Sequence, residues 1–317
     1  MLNANIGPAY SEIVSAKKNA EDAVRTHFKL GKNSFVLAAL GATGALDLVV
    51  SYVEATSKNK KALVPLPEYH RALGRLKCNL NVSHVRGDNS SIVASMKQLN
   101  PAIMYLSYPN NPTGNLYELN KIVKNLPVST LLVIDTTLFG MHDKRLLLPT
   151  ETAPSILRMA GKKNVVIVGS LSKTHGPNAV ALRFGWILTN NGKIHDDLFA
   201  RSLMYPPVST LRKGTLLLKK THDVLTVSRA LKSHRILQTT FPSGPVEYVK
   251  GDTMIPYCML RVEDKSLRKV ITALSKADII VAKGAQVGIP DNYLRIEAAE
   301  PKVVKQIARI IASAAWS

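Results

Sequence analysis

Short apolar runs rich in β-branched residues recur along this chain, each separated from the next by a stretch with helical periodicity. No other feature limits the fold so strongly. The runs "KALVPLP", "AIMYLSYP", "LLVIDTT", "NVVIVGSLS" and "ALRFGWILT" read as buried strands. Between them, "ALDLVVSYVEATSKNKK" and "NLYELNKIVKNLP" read as helices. Strands that are apolar throughout need cover on both faces, so the alternation predicts an α/β fold with a mostly parallel, doubly covered sheet. In such sheets ligands bind beyond the carboxyl ends of the strands, which directs attention to the residues just after each run.

The chain has 317 residues and is 46% hydrophobic, enough for two domains. From "IPYCMLRVED" onward, short strands and helices alternate as in a small α+β domain. The expected division is 1–228 and 229–317. The run from Arg201 to Arg235 carries basic residues among leucines at near-helical spacing, and predicts one long amphipathic helix with a solvated basic face. The formal charge of +20 favours anionic partners, yet no zinc-finger or RNP pattern accompanies it. Nucleic-acid binding therefore rests on charge alone. Cys78 and Cys258 lie far apart with no CxxC, which argues against a disulfide framework or a cysteine-built metal site and for a reducing compartment. No apolar run approaches the ~20 residues of a membrane span, and "MLNANIGPAYSEIVSAKKNAED" has no apolar leader core. A cytoplasmic protein without membrane contact is expected.

Five motifs follow the predicted strands. In "LAALGATGALDLVV", Gly41, Ala42, Thr43 and Gly44 precede a helix, where small residues let backbone N–H groups approach a phosphate. The plainer alternative is an ordinary glycine turn. In "LSYPNNPTG", prolines and a glycine fix the loop that carries Asn110 and Asn111. Asp135 ends "LLVID", where burial demands a cation, hydrogen-bond donors or a helix to cap. Lys173 sits in "SLSKTHG" beside Ser170 and Ser172, with Arg183 further on as an anion clamp. Lysine in a turn is ordinarily a surface charge; a lowered pKa would make it a carbonyl nucleophile. In "DNYLRIEAAEP", Arg295 either pairs with Glu297 or Asp291, or holds a substrate carboxylate.

Taken in order, "GATGAL", "YPNNPTG", "VIDTT", "SLSKTHG…LRFGW" and "LRIE" resemble the class I/II aminotransferases of the fold-type-I pyridoxal-phosphate superfamily, over most of the chain. The resemblance implies a large domain with a seven-stranded, mostly parallel sheet and a small C-terminal α+β domain. It also implies pyridoxal 5'-phosphate as cofactor, a homodimer, and amino-group transfer between an L-amino acid and a 2-oxo acid in amino-acid metabolism. By similarity, Lys173 would bond the cofactor aldehyde and move the substrate Cα proton. Asp135 would keep the pyridine nitrogen protonated, Asn111 would donate to O3′, and Tyr69 of "PLPEYH" would stack on the ring. Ala42, Thr43, Ser170 and Arg183 would bind the phosphate, and Arg295 the substrate carboxylate.

Three departures stand out. Leu138 replaces a tyrosine that relatives carry three residues after the aspartate, so a raised pKa of the lysine–cofactor adduct is expected. The spacing from Lys173 to Arg183 is longer than in most relatives. The chain also begins where relatives have completed an N-terminal arm. Within the family, the motifs suit the tryptophan aminotransferase/alliinase and histidinol-phosphate aminotransferase branches alike. C–S β-elimination, decarboxylation, or a non-catalytic basic binding protein on the same fold are the alternatives.

Overall fold

The β-branched runs form seven strands whose side chains divide between two helix-covered faces. The computed structural model describes residues 8–138, 149–175, 177–202, 206–220, 224–298 and 300–316. The strands are β1 (Phe35–Leu40), β2 (Lys61–Leu66), β3 (Asn81–Arg86), β4 (Ile103–Ser107), β5 (Leu131–Asp135), β6 (Val165–Ser170) and β7 (Phe184–Thr189). Their order across the sheet is β1-β7-β6-β5-β4-β2-β3. β2, β3, β4, β5 and β6 pair in parallel, and β7 runs antiparallel to both of its neighbours.

Period-two alternation sorts the core. Leu132 and Ile134 of β5 face one apolar cluster, while Leu131 and Val133 face the other. The first face is covered by α1 (Pro8–His27), α4 (Asn89–Leu99), α5 (Leu119–Lys124), α6 (Pro149–Ala160) and α9 (Val208–Leu218). The second is covered by α2 (Gly41–Thr56), α3 (His70–Lys77) and α8 (Gly192–Arg201). The short α7 (Pro177–Leu182) leads into β7.

A second sheet has the order β10-β11-β9-β8, built from β8 (Val246–Val249), β9 (Tyr257–Val262), β10 (Ala282–Lys283) and β11 (Tyr293–Glu297). With α10 (Val224–Thr240), α11 (Asp264–Lys276) and α12 (Pro301–Trp316) it encloses its own apolar core around Leu260, Val270, Leu294 and Ile307. Residues 228 and 229 both lie within α10.

The basic run from 201 to 235 differs from expectation. Arg201 ends α8, and the rest divides between α9 and α10 instead of forming one helix. Pro206 and Pro207 explain the first break, because proline disfavours a helical conformation in the residue before it and lacks the N–H a helix interior needs. Among the described residues, no helix is long and apolar enough to cross a membrane.

Topology brings the motifs together. The carboxyl ends of β2, β4, β5 and β6 share one edge of the sheet, and antiparallel β7 starts there. Ser107 pairs with Asp135, Asp135 with Val168, and Ser170 with Gly185. β1 ends at the same edge, where Leu40 pairs with Phe184 and the chain turns into α2 at Gly41, with φ +67°. A Cβ on Gly185 would lie 2.5 Å from the Gly41 carbonyl carbon, so only glycine lets β7 pass beneath that turn.

Candidate active site

A cavity of about 560 Å³ opens at this edge, and every residue singled out from the sequence as cofactor- or substrate-binding lines it. Lys173 reaches it from a single 3-10 turn, Leu171–Lys173, directly after β6. Its Nζ lies 3.7 Å from Glu297 Oε1 and 5.3 Å from the centroid of the Tyr257 ring. Burial works to lower the Lys173 pKa, but Tyr257, Glu297 and Tyr69 outweigh it and the net direction is upward. The lowered pKa invoked for a nucleophile is thus not present in the bare chain, where the ammonium has partners.

Asp135 is buried at the end of β5. It has the same parity as Leu131 and Val133, so it emerges on the face that also holds Tyr105. Its Oδ1 accepts from the Thr137 N–H at 2.9 Å and its Oδ2 from the Tyr105 hydroxyl at 3.0 Å. Burial pushes its pKa up despite these donors. A buried carboxyl so placed fits a cationic partner such as a protonated pyridine nitrogen.

Asn111 lies in the loop after β4, where its N–H donates to Ser107 Oγ at 2.7 Å. Its Oδ1 faces Arg295 Nη1 at 3.5 Å, at the limit of a hydrogen bond. Arg295 comes from β11 and lies over the Tyr257 ring, 4.7 Å from its centroid. The alternative pairings are taken elsewhere: Glu297 faces Lys173, and Asp291 accepts from the Ala285 N–H. Tyr69, half-buried at the start of α3, forms a wall of the cavity.

The opposite end is built for an anion. α2 starts at Gly41 with no side-chain cap, leaving its first N–H groups without that partner beside Ala42 and Thr43. The Arg183 guanidinium lies against Gly41, where a Cβ would stand 3.2 Å from its Nη2. Arg183 itself has φ +56°, a left-handed conformation that a non-glycine residue adopts only under constraint. Ser170 and Ser172 are buried, and the Ser172 hydroxyl has no hydrogen-bond partner among the described residues. An uncapped helix terminus, an arginine and an orphaned hydroxyl fit a phosphate. Arg75, which also lines the cavity, is already held by Asp47 and Glu54. Together with the lysine amine and the buried acid, this donor set fits pyridoxal 5'-phosphate.

Sequence reasoning missed Tyr257, Glu68 and Tyr105. Glu68 stood inside the quoted "PLPEYH", but an acid in a turn carries no sign of burial. Tyr257 opens β9, a strand of the second sheet with no motif around it. Leu138 is buried and lines the cavity as an apolar surface. Among the described residues, no cluster of three or more His, Cys, Asp or Glu side chains could hold a metal ion.

Residues 86–311 match the family Aminotransferase class I and II. A histidinol-phosphate aminotransferase of Pasteurella multocida is 28% identical over 213 residues, covering 63% of this chain and 53% of that protein. The match spans about half the length of this curated relative. Among solved structures, the histidinol-phosphate aminotransferase from Clostridium acetobutylicum superposes with a TM-score of 0.74 at 17% identity, covering 96% of this chain and 92% of that one. A PLP-bound C–S lyase from Staphylococcus hominis gives 0.74 at 15% identity, over 96% and 79%. These likenesses establish the fold.

Proposed function

The chain belongs to aminotransferase class I and II, and from that premise we propose that it uses pyridoxal 5'-phosphate to move an amino group between an L-amino acid and a 2-oxo acid. The observation that carries this reading is the convergence of Lys173, Asp135, Asn111, Arg183 and Arg295, from separate segments, on one cavity. When bound, the cofactor supplies an aldehyde for the amino group and a ring that takes up electrons released at the substrate Cα.

The protein's own groups do the rest. Lys173 Nζ carries the proton to and from the substrate Cα. Asp135 presents its buried carboxyl to the ring nitrogen and favours its protonated form. Asn111 offers its amide to the ring oxygen, and Tyr69 covers a ring face. Arg183, Ser170, Ser172 and the first turn of α2 hold the phosphate. Arg295, its face over Tyr257, presents its donor edge to a carboxylate. The same reading assigns 1–228 to cofactor binding and 229–317 to a smaller unit that carries the carboxylate grip, and it pairs the chain as a homodimer.

The test is to add pyridoxal 5'-phosphate to the purified chain and to Lys173→Ala, reduce with borohydride, and map the modified peptide. Wild type should carry the label on Lys173, and the variant should carry none. Amino acids with 2-oxo acid acceptors are then screened; histidinol phosphate belongs in the panel because the curated relatives are named for it. Absence of label on Lys173 would sink the reading. Labelled protein that releases ammonia or carbon dioxide without exchanging amino groups would replace transfer with elimination or decarboxylation.

A further inference from the structure

Glu68 is completely buried, yet it lies outside the cavity and has no part in the reaction just described. Its carboxyl gathers three donors. Oε1 accepts from the Tyr69 N–H at 2.6 Å and from the Ser107 hydroxyl at 2.6 Å, and Oε2 accepts from the Ser107 N–H at 2.7 Å. The Ser107 hydroxyl in turn accepts from the Asn111 N–H at 2.7 Å. The Glu68 N–H donates to the Val287 carbonyl at 3.0 Å, in the segment that precedes β11. One side chain thus ties the loop after β2 to the loop after β4, and its own backbone is anchored to the second sheet's side.

We propose that Glu68 is a positioning residue, which fixes Tyr69 and Asn111 relative to each other across the cofactor site. This rests on reading the cavity as a pyridoxal-phosphate site. Tyr69 and Asn111 touch that site from different loops, and loops by themselves do not hold two groups to the tolerance a planar ring requires. The relay Tyr69–Glu68–Ser107–Asn111 does so through consecutive short hydrogen bonds. A second stitch runs alongside, where Asn110 Nδ2 donates to the Pro67 carbonyl at 2.9 Å.

The chemistry explains why the residue is an acid. A carboxyl places an oxygen at both ends in either protonation state, whereas glutamine must turn an NH₂, which cannot accept, toward one of the donors. Burial pushes the Glu68 pKa up to about 8, and Asp135 nearby adds to the rise. Tyr105 and Tyr117 also face it, each with its own pKa raised first by burial and then by neighbouring acids that include Glu68. Burying an acid among such groups is a poor route to stability, so its placement is explained better by the geometry it imposes.

The test uses the full chain with Glu68→Gln, Ser107→Ala and the double variant, checked for folding by circular dichroism. Pyridoxal-phosphate affinity is measured by absorbance titration, together with the absorption maximum of the bound cofactor across pH 6 to 9. Each single variant should lose affinity about tenfold and move the absorption maximum or its pH dependence. The double variant should lose little more than either single one, because both break one relay. A purely stabilising role would lower the melting temperature without moving the spectrum, and that result overturns the proposal, as do additive losses. If Glu68→Gln does not fold, Ser107→Ala decides: a tenfold loss supports the relay and wild-type affinity refutes it. If wild type itself fixes no cofactor on Lys173, the functional reading falls and this proposal with it.

Discussion

Replacing Glu68 by glutamine should change how the cofactor-free protein's stability depends on pH. The carboxyl titrates near 8 in the folded chain against 4.5 when exposed. Between those values the folded protein holds a proton that the unfolded chain has released, so folding is favoured by low pH. The contribution is fully present below about 4.5 and is lost as pH rises through about 8. At 1.36 kcal/mol per pH unit, the interval corresponds to about 5 kcal/mol. The group is fully buried, so solvent does not screen the effect. This is as large as the whole stability of many domains, which lies at roughly 5–15 kcal/mol. Glutamine does not titrate, and its NH₂ opposes one of the donors at a pH-independent cost of about 1–3 kcal/mol. Urea unfolding of wild type and Glu68→Gln at pH 5, 6.5 and 8.5, followed by circular dichroism, isolates the effect. Contributions of groups that do not interact with Glu68, such as His27, cancel in the difference, whereas any response of Asp135 is part of the Glu68 effect. Wild type should lose its advantage over the variant as pH rises, by several kcal/mol across the range. Parallel curves would refute the reasoning, because they would mean that Glu68 has the same charge in the folded and unfolded chain throughout.

Asp135→Asn should leave cofactor fixation on Lys173 measurable while lowering kcat by about 100-fold or more, since an amide does not favour a protonated ring nitrogen; an unchanged kcat in a steady-state assay would remove Asp135 from the chemistry. Tyr257→Phe keeps the ring beneath Arg295 but deletes the hydroxyl that helps raise the Lys173 pKa. The pH profile for cofactor fixation on Lys173 should therefore move to lower pH, and a profile that stays in place would show that Glu297 and Tyr69 suffice.

The large sheet was legible in the sequence because its strands are apolar throughout, and each ends at an abrupt change to polar or turn-forming residues. Asp135 and Lys173 could be singled out for the same reason, being charged groups at the ends of buried runs. Arg295 stood out as an arginine in an apolar run, but the run did not choose between an ion pair and a carboxylate ligand. Its place opposite Lys173 depends on the second sheet's packing, which no local pattern encodes. The helical pattern over 201–235 misled because leucine spacing survives across separate helices, and the breaks at Pro206 and Pro207 outrank it. Glu68 was illegible for a different reason. A sequence displays an acid but not the convergence of donors that lets it be buried, because those donors come from Tyr69 beside it and Ser107 a strand away.

The two sheets divide the labour of the site. Arg295 and Tyr257 stand on adjoining strands of the four-stranded sheet, whereas Asp135 ends a strand of the seven-stranded one and Lys173 lies in the turn after its strand β6, and each sheet has its own apolar packing. On the proposed reading, a change that repacks Leu260 or Leu294 acts on the carboxylate grip directly and on Lys173 only through Glu297 and Tyr257. Arg295, on that reading, grips a group that amino-acid substrates share, so substitutions around it test the grip, and the edge that carries Lys173 is the part to leave alone.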